Sequence, residues 1–137
     1  MTEPGGTHDT FPKLLLHHAR VRGGGTAIRE KDLGIWQSWT WAQVRAQVEA
    51  LAGGLAKAGL QRGQHIAVIG ANRPRLYWTM IAAQSIGAIP VPFYEDAPAA
   101  EMIYVFQNAE IAFAVVEDQE QADKLFEILP ECPSLEH

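Results

Sequence analysis

Apolar and polar positions follow two rhythms along this chain. Between residues 40 and 58, Val44, Val48, Leu51 and Leu55 recur at steps of four, three and four, which lines one face of a helix. Thr40-Trp41-Ala42-Gln43 ahead of them fits a capping box, in which the threonine oxygen and the glutamine side chain each accept from a free amide. Gly59 supplies the left-handed residue that closes this helix. Three short apolar runs follow, at residues 65–70 (HIAVIG), 88–93 (AIPVPF) and 111–116 (IAFAVV). Each reads as a strand, and each is followed by a helical stretch. Pro74 suits the first turn of one such helix, where its missing N–H would be unpaired anyway, and Gly87 stops that helix after Ile86. Asp96 and Pro98 open the next, which carries Met102, Ile103 and Phe106, with Asp96 as its cap. Asp118 with Gln121 is an N-cap for the last, lined by Leu125, Phe126 and Leu129 before Pro130.

The three strands begin at residues 65, 88 and 111, a constant step of 23 residues. A parallel crossover needs a dozen or more residues, so this step predicts consecutive βαβ units with right-handed connections. Pro90 and Pro92 each remove a ladder donor, which makes the middle strand short, irregular or close to an edge. Upstream, residues 1–10 are polar and read as disordered. Residues 11–22, with Phe11, Leu14, Leu15 and Val21, predict a short amphipathic helix ended by Gly23, Gly24 and Gly25. Residues 26–30 and 36–41 flank a turn around Asp32 and Gly34 and read as a β-hairpin. The expected fold is α/β in three layers: a mostly parallel sheet with flanking helices, plus this short N-terminal hairpin.

Composition narrows the function classes. The chain has 137 residues, 47% hydrophobic and 20% charged, as an ordinary globular domain has. At this length a domain buries roughly 68–70% of the surface its unfolded chain exposes. Its formal charge is −5, and its basic residues are scattered singly, which argues against a nucleic-acid partner. The single cysteine, Cys132, excludes an intrachain disulfide and a Cys-x-x-Cys site, and fits a reduced, cytoplasmic setting. No apolar run approaches 18 residues, and residues 1–10 lack the apolar core of a secretory signal. Leu135-Glu136-His137 resembles a cloning-site scar followed by the first residue of a histidine tag. The ordered unit is thus expected over residues 11–134, with the natural protein continuing beyond.

Candidate chemistry is sparse. Gly23-Gly24-Gly25 has no strand before it and no Gly-Lys-Ser/Thr after it, so it reads as a connector. His17 and His18 point about 100° apart on a helix and cannot chelate one metal together. Asn72-Arg73-Pro74-Arg75 lies just beyond a parallel strand, where ligands of α/β folds bind and where a helix N-terminus could hold an anion. The plainer reading caps the helix with Asn72 or its neighbour and turns the arginines to solvent or to a neighbouring domain. Glu95 and Asp96 could pair as acid and base, but a capping role for Asp96 is the simpler account. Cys132 has no histidine beside it to make it a nucleophile.

A family resemblance adds what spacing does not. Trp39 to Val44 (WTWAQV) resembles the Leu-Ser/Thr-Tyr-x-Glu-Leu signature near the start of adenylate-forming enzymes. Trp41 stands for the tyrosine, Gln43 for the glutamate and Val44 for the leucine. The Asn72-Arg73-Pro74 turn, the segment from Gly87 to Pro92 and Tyr94-Glu95-Asp96 follow in an order that resembles the long-chain fatty-acid CoA ligase branch. The resemblance runs from about Phe11 to Leu129. It implies a parent acid–thiol ligase that uses ATP, Mg²⁺ and coenzyme A: a fatty-acid carboxylate forms an acyl-adenylate and pyrophosphate, then the CoA thiol displaces AMP. In the family the chemistry falls to a Ser/Thr/Gly-rich loop ending in Pro-Lys-Gly, a Tyr-Gly-x-Thr-Glu segment, a Thr-Gly-Asp segment and a C-terminal lysine. None is present in these 137 residues. No catalytic, cofactor-binding or metal residue is therefore assigned, and the chain is expected to be inactive and to bind none of the three cofactors alone. Its expected partner is the rest of the parent enzyme, which is expected in the cytoplasm, with a peripheral membrane association left open. A cut sheet also favours self-association. The alternatives are a self-contained non-catalytic binding or assembly module, or a piece of an aryl-CoA ligase or peptide-synthetase adenylation domain.

Overall fold

The computed structural model describes residues 8–137, so the disorder expected of residues 1–7 lies outside the described residues. Thr10 caps the first helix, α1 (Phe11–Arg22), through Oγ1, which accepts from the Lys13 amide at 3.3 Å. Of the apolar residues expected to line α1, only Leu15 is buried, while Phe11 and Val21 are exposed. The hairpin is longer than its apolar runs suggested. β1 (Thr26–Asp32) pairs antiparallel with β2 (Ile35–Thr40), and the turn is Leu33-Gly34 alone. α2 (Trp41–Ala58) opens on the expected capping box: the Gln43 amide donates to Thr40 Oγ1 at 3.2 Å, and the Thr40 amide donates to Gln43 Oε1 at 2.8 Å. It closes on Gly59 in the left-handed conformation.

The strand–helix alternation is as the 23-residue step predicted. β3 (His65–Ile69), α3 (Pro74–Ser85), β4 (Ile89–Phe93), α4 (Ala99–Asn108), β5 (Phe113–Val116) and α5 (Gln119–Ile128) follow in turn, with a 3₁₀ turn over Leu129–Glu131. The three strands form one parallel sheet in the order β4-β3-β5. β3 is therefore central, and β4 is an edge strand. The Ile89 amide donates inward to the Gln64 carbonyl at 2.8 Å, so alternation turns the donor-less nitrogens of Pro90 and Pro92 outward, where no strand needs them. Along the outer side of β5, the Glu136 amide donates to the Ala112 carbonyl at 3.0 Å, and the Ala114 amide donates to the His137 carbonyl at 2.9 Å.

Right-handed connections on either side of β3 send the helices to opposite faces. One core joins Ile66 of the sheet to Val44, Val48 and Leu55 of α2 and to Trp78 and Ala82 of α3. The other joins Ala67 and Ile69 to Met102 and Phe106 of α4, Ile128 of α5 and Cys132. Burying each large side chain of this kind contributes about 1.5–3 kcal/mol. Two sequence expectations need correction. The N-cap of α4 is Pro98, with no side-chain cap, so Asp96 does not hold that role. α5 is capped by Asp118 as expected, but Phe126 and the following Leu129 face solvent, and its buried residues are Gln121 and Ile128. Gln121 can lie inside because its amide donates to the Glu95 carbonyl at 2.9 Å.

Candidate functional site

The strand order creates a crevice. β3 leads into α3 on one face of the sheet, while its neighbour β5 leads into α5 on the other. The C-terminal ends of these adjacent strands therefore part company, which is the topological switch point where ligands of open α/β sheets bind. A cavity of about 900 Å³ lies there, roofed by the inner side of the β-hairpin. Gly70, at the end of β3, allows the close approach of β5: a Cβ at this position would stand 2.9 Å from Glu117 Cβ. Glu117 uses that approach, with Oε2 accepting from the Ala71 amide at 2.5 Å.

Arg73 is the electrostatic centre of the rim. Its guanidinium meets Glu30 of the hairpin at 3.2 Å and Glu117 at 3.4 Å, joining the hairpin, the sheet end and the N-terminus of α3. The Asn72–Arg75 turn thus lies at a switch point as its position after a strand suggested. Its details follow the plainer reading only in part. Arg73 itself is the N-cap residue and makes no side-chain cap, Asn72 accepts from the Tyr77 hydroxyl, and Arg75 is exposed. Glu30, Asp32, Glu117 and Asp118 line the cavity against Arg73 and Arg75, so carboxylates outnumber guanidiniums and an anion is disfavoured. Deeper in, Trp78 is buried, stacks edge-on with Trp39 at 5.4 Å and finds no hydrogen-bond partner for its indole N–H among the described residues. The cavity thus offers an aromatic wall inside an acidic rim.

The other sequence candidates stay apart from this site. Glu95 and Asp96 are exposed in the loop after β4, whose Glu95 carbonyl accepts from Gln121 and Lys124 of α5, and neither lines the cavity. The rings of His8, His17 and His18 stack in series, with centroids 4.1 and 5.2 Å apart, and His18 lies 4.6 Å from Trp41. Desolvation, and then the charges of His8, His18, Arg20 and Arg22, hold the His17 pKa below its ordinary 6.5. Among the described residues, no group of three or more His, Cys, Asp or Glu side chains is placed to hold a metal ion. Burial and then Glu131 push the Cys132 thiol up, which leaves it a poor nucleophile. Glu30, Glu117 and Trp78 were not singled out from the sequence. Only Glu117 carried a usable signal, its place directly after a parallel strand.

Comparison with known proteins places this arrangement. Residues 15–137 match the family described as AMP-binding enzyme. A long-chain-fatty-acid–CoA ligase of Mycobacterium bovis is 27% identical over 130 residues, which are 95% of this chain and 22% of that protein. An uncharacterized protein of Mycobacterium tuberculosis is 37% identical over 93 residues, 68% of this chain and 53% of its own length. Among solved structures, the anthranilate CoA ligase AuaEII in complex with anthranoyl-AMP superposes with a TM-score of 0.82 at 21% identity, over 92% of this chain and 23% of that one. A putative long-chain-fatty-acid CoA ligase from Rhodopseudomonas palustris gives 0.79 at 23% identity, over 92% and 31%. At such identities the superpositions speak for the fold alone. The chain spans about half of the first relative it matches and about a fifth of the ligase.

Proposed function

Because this chain belongs to the AMP-binding enzyme family, we propose that it is the N-terminal portion of an ATP-dependent long-chain acyl-CoA synthetase and is catalytically silent alone. The observation that carries this reading is the ligase relative, which aligns with 95% of this chain but leaves most of its own length outside the alignment. The residues present do not fit the parent's nucleotide. Four carboxylates line the cavity, and two of them already engage Arg73, so a triphosphate would meet net repulsion there. Nor do the acidic side chains converge as a ligand set for Mg²⁺ among the described residues. The chain's own contribution is architectural: a parallel sheet with a switch-point crevice that further strands and loops would complete.

One observation favours the alternative of a self-contained, non-catalytic module. The M. tuberculosis relative is itself short, since 93 aligned residues make up 53% of it. A pyrophosphate-release assay with ATP, Mg²⁺, CoA and a fatty acid addresses silence, with no turnover above blank expected from the pure chain. A chimera addresses parentage: residues 11–134 replace the matching segment of the M. bovis ligase. Retained fatty-acid-dependent turnover supports the synthetase reading. A folded but inactive chimera favours the module.

A further inference from the structure

The hairpin carries an apolar tip that the fold does not use. Its turn residues Leu33 and Gly34 have φ of 48° and 80°. Two-residue turns with both φ values positive favour Asn-Gly, and a leucine there bears a backbone penalty. It gains no burial in exchange, being 94% exposed. Trp36 close by is exposed as well, at 62%, while Ile35, though exposed, lies across from Asp32 on the other face. The hairpin's charges are also sorted by face. Glu30 and Asp32 line the cavity with Gln37 and Trp39. Strand alternation then places Arg29 and Lys31 on the outer face, where Lys31 pairs with Trp36 and Arg29 with Ser38. Arg29 Cζ stands 5.5 Å and Lys31 Nζ 5.9 Å from the Trp36 ring. The strand's acids turn inward, and two cations flank an indole behind an apolar tip.

We propose that this outer hairpin face docks on an anionic lipid surface. Leu33 at the tip enters the acyl boundary, Trp36 sits at the interface, and Arg29 and Lys31 meet the headgroup phosphates. Indoles favour the membrane interface, and basic side chains near an anionic leaflet are attracted to it. The patch is only one loop wide, small beside the roughly 800 Å² per partner of a stable protein interface, whereas a bilayer demands no matching shape. The chain's overall charge of −5 opposes any broader approach, so the contact is confined to the tip and fixes the orientation of the molecule. This inference stands independently of the synthetase reading.

The test is co-sedimentation of the intact chain with vesicles of phosphatidylcholine and phosphatidylglycerol in equal parts, against phosphatidylcholine alone. We expect several-fold more chain on the anionic vesicles, a blue shift of tryptophan emission that Trp36→Phe removes, and release by salt. Leu33→Asn and the double variant Arg29→Ser/Lys31→Ser should each lower the bound fraction several-fold, with circular dichroism unchanged because all three side chains are exposed. Equal binding to both vesicles, or binding insensitive to these variants, overturns the proposal. It also falls if light scattering without lipid shows dimers that Leu33→Asn dissolves, since the tip would then be a self-association surface.

Discussion

Val68 and Ile69 are consecutive residues of β3 that face opposite sides of the sheet, and both are almost wholly buried, at 2% and 1% exposure. A carboxylate at either place would be desolvated, at a cost of several kcal/mol against a total stability of about 5–15 kcal/mol. Val68→Asp and Ile69→Asp should each unfold the chain or lower its melting temperature steeply. Arg75→Asp, on the exposed first turn of α3, should be mild. Melting of both strand variants near wild type would contradict the central place of β3. His17 offers a test by pH. Its folded pKa is depressed, so the unfolded chain, titrating near 6.5, takes up the proton more readily. The stability it contributes is therefore complete above that pH and is lost as pH falls through it toward the folded value. Urea titrations about one unit either side should show a larger drop in wild type than in His17→Gln, and equal drops would refute the assignment.

At the scale of elements, the capping box of α2 is the most local feature of the fold and was plain from four residues. Thr40→Ala removes one half of it and should cost about 1 kcal/mol, read as a lower urea midpoint at unchanged slope. Elements governed by such local rules were legible: α2, the three parallel strands and the Asp118 cap. The prolines of β4 were legible too, because a missing donor is tolerable only where no ladder bond is required. Other features needed tertiary information. The inner face of α5 includes Gln121, whose polarity hides the helical stripe it shares with Ile128, and its burial depends on a carbonyl in a distant loop. Leu33 sits in a turn that only backbone geometry reveals. The crevice was hidden for a similar reason, since it follows from the order β4-β3-β5, which equal spacing between strands leaves undetermined. Arg73 stood out in the sequence, but Glu30 and Glu117 lie far from it along the chain, and nothing local announces them as its partners.

For the molecule as a whole, both faces of the sheet are covered by helices, so exposed backbone is confined to its edges. The outer side of β4 presents prolines at alternate positions. The outer side of β5 already exchanges hydrogen bonds with Glu136 and His137. The β5 edge is thus the one that losing this cover would open to self-association. Deleting residues 135–137 is expected to raise the apparent mass in light scattering at high concentration, whereas a monomer unchanged by the deletion would argue against an edge-driven contact. The bridge made by Arg73 has a consequence at this scale as well. One half-exposed guanidinium ties the hairpin to the end of the sheet, and pairs of this kind contribute only about 0–1 kcal/mol and weaken as salt rises. The roof of the crevice thus has two fastenings of different kind, a clasp that dissolved ions can loosen and the packing of Ile28 and Trp39 into the core, which they leave untouched.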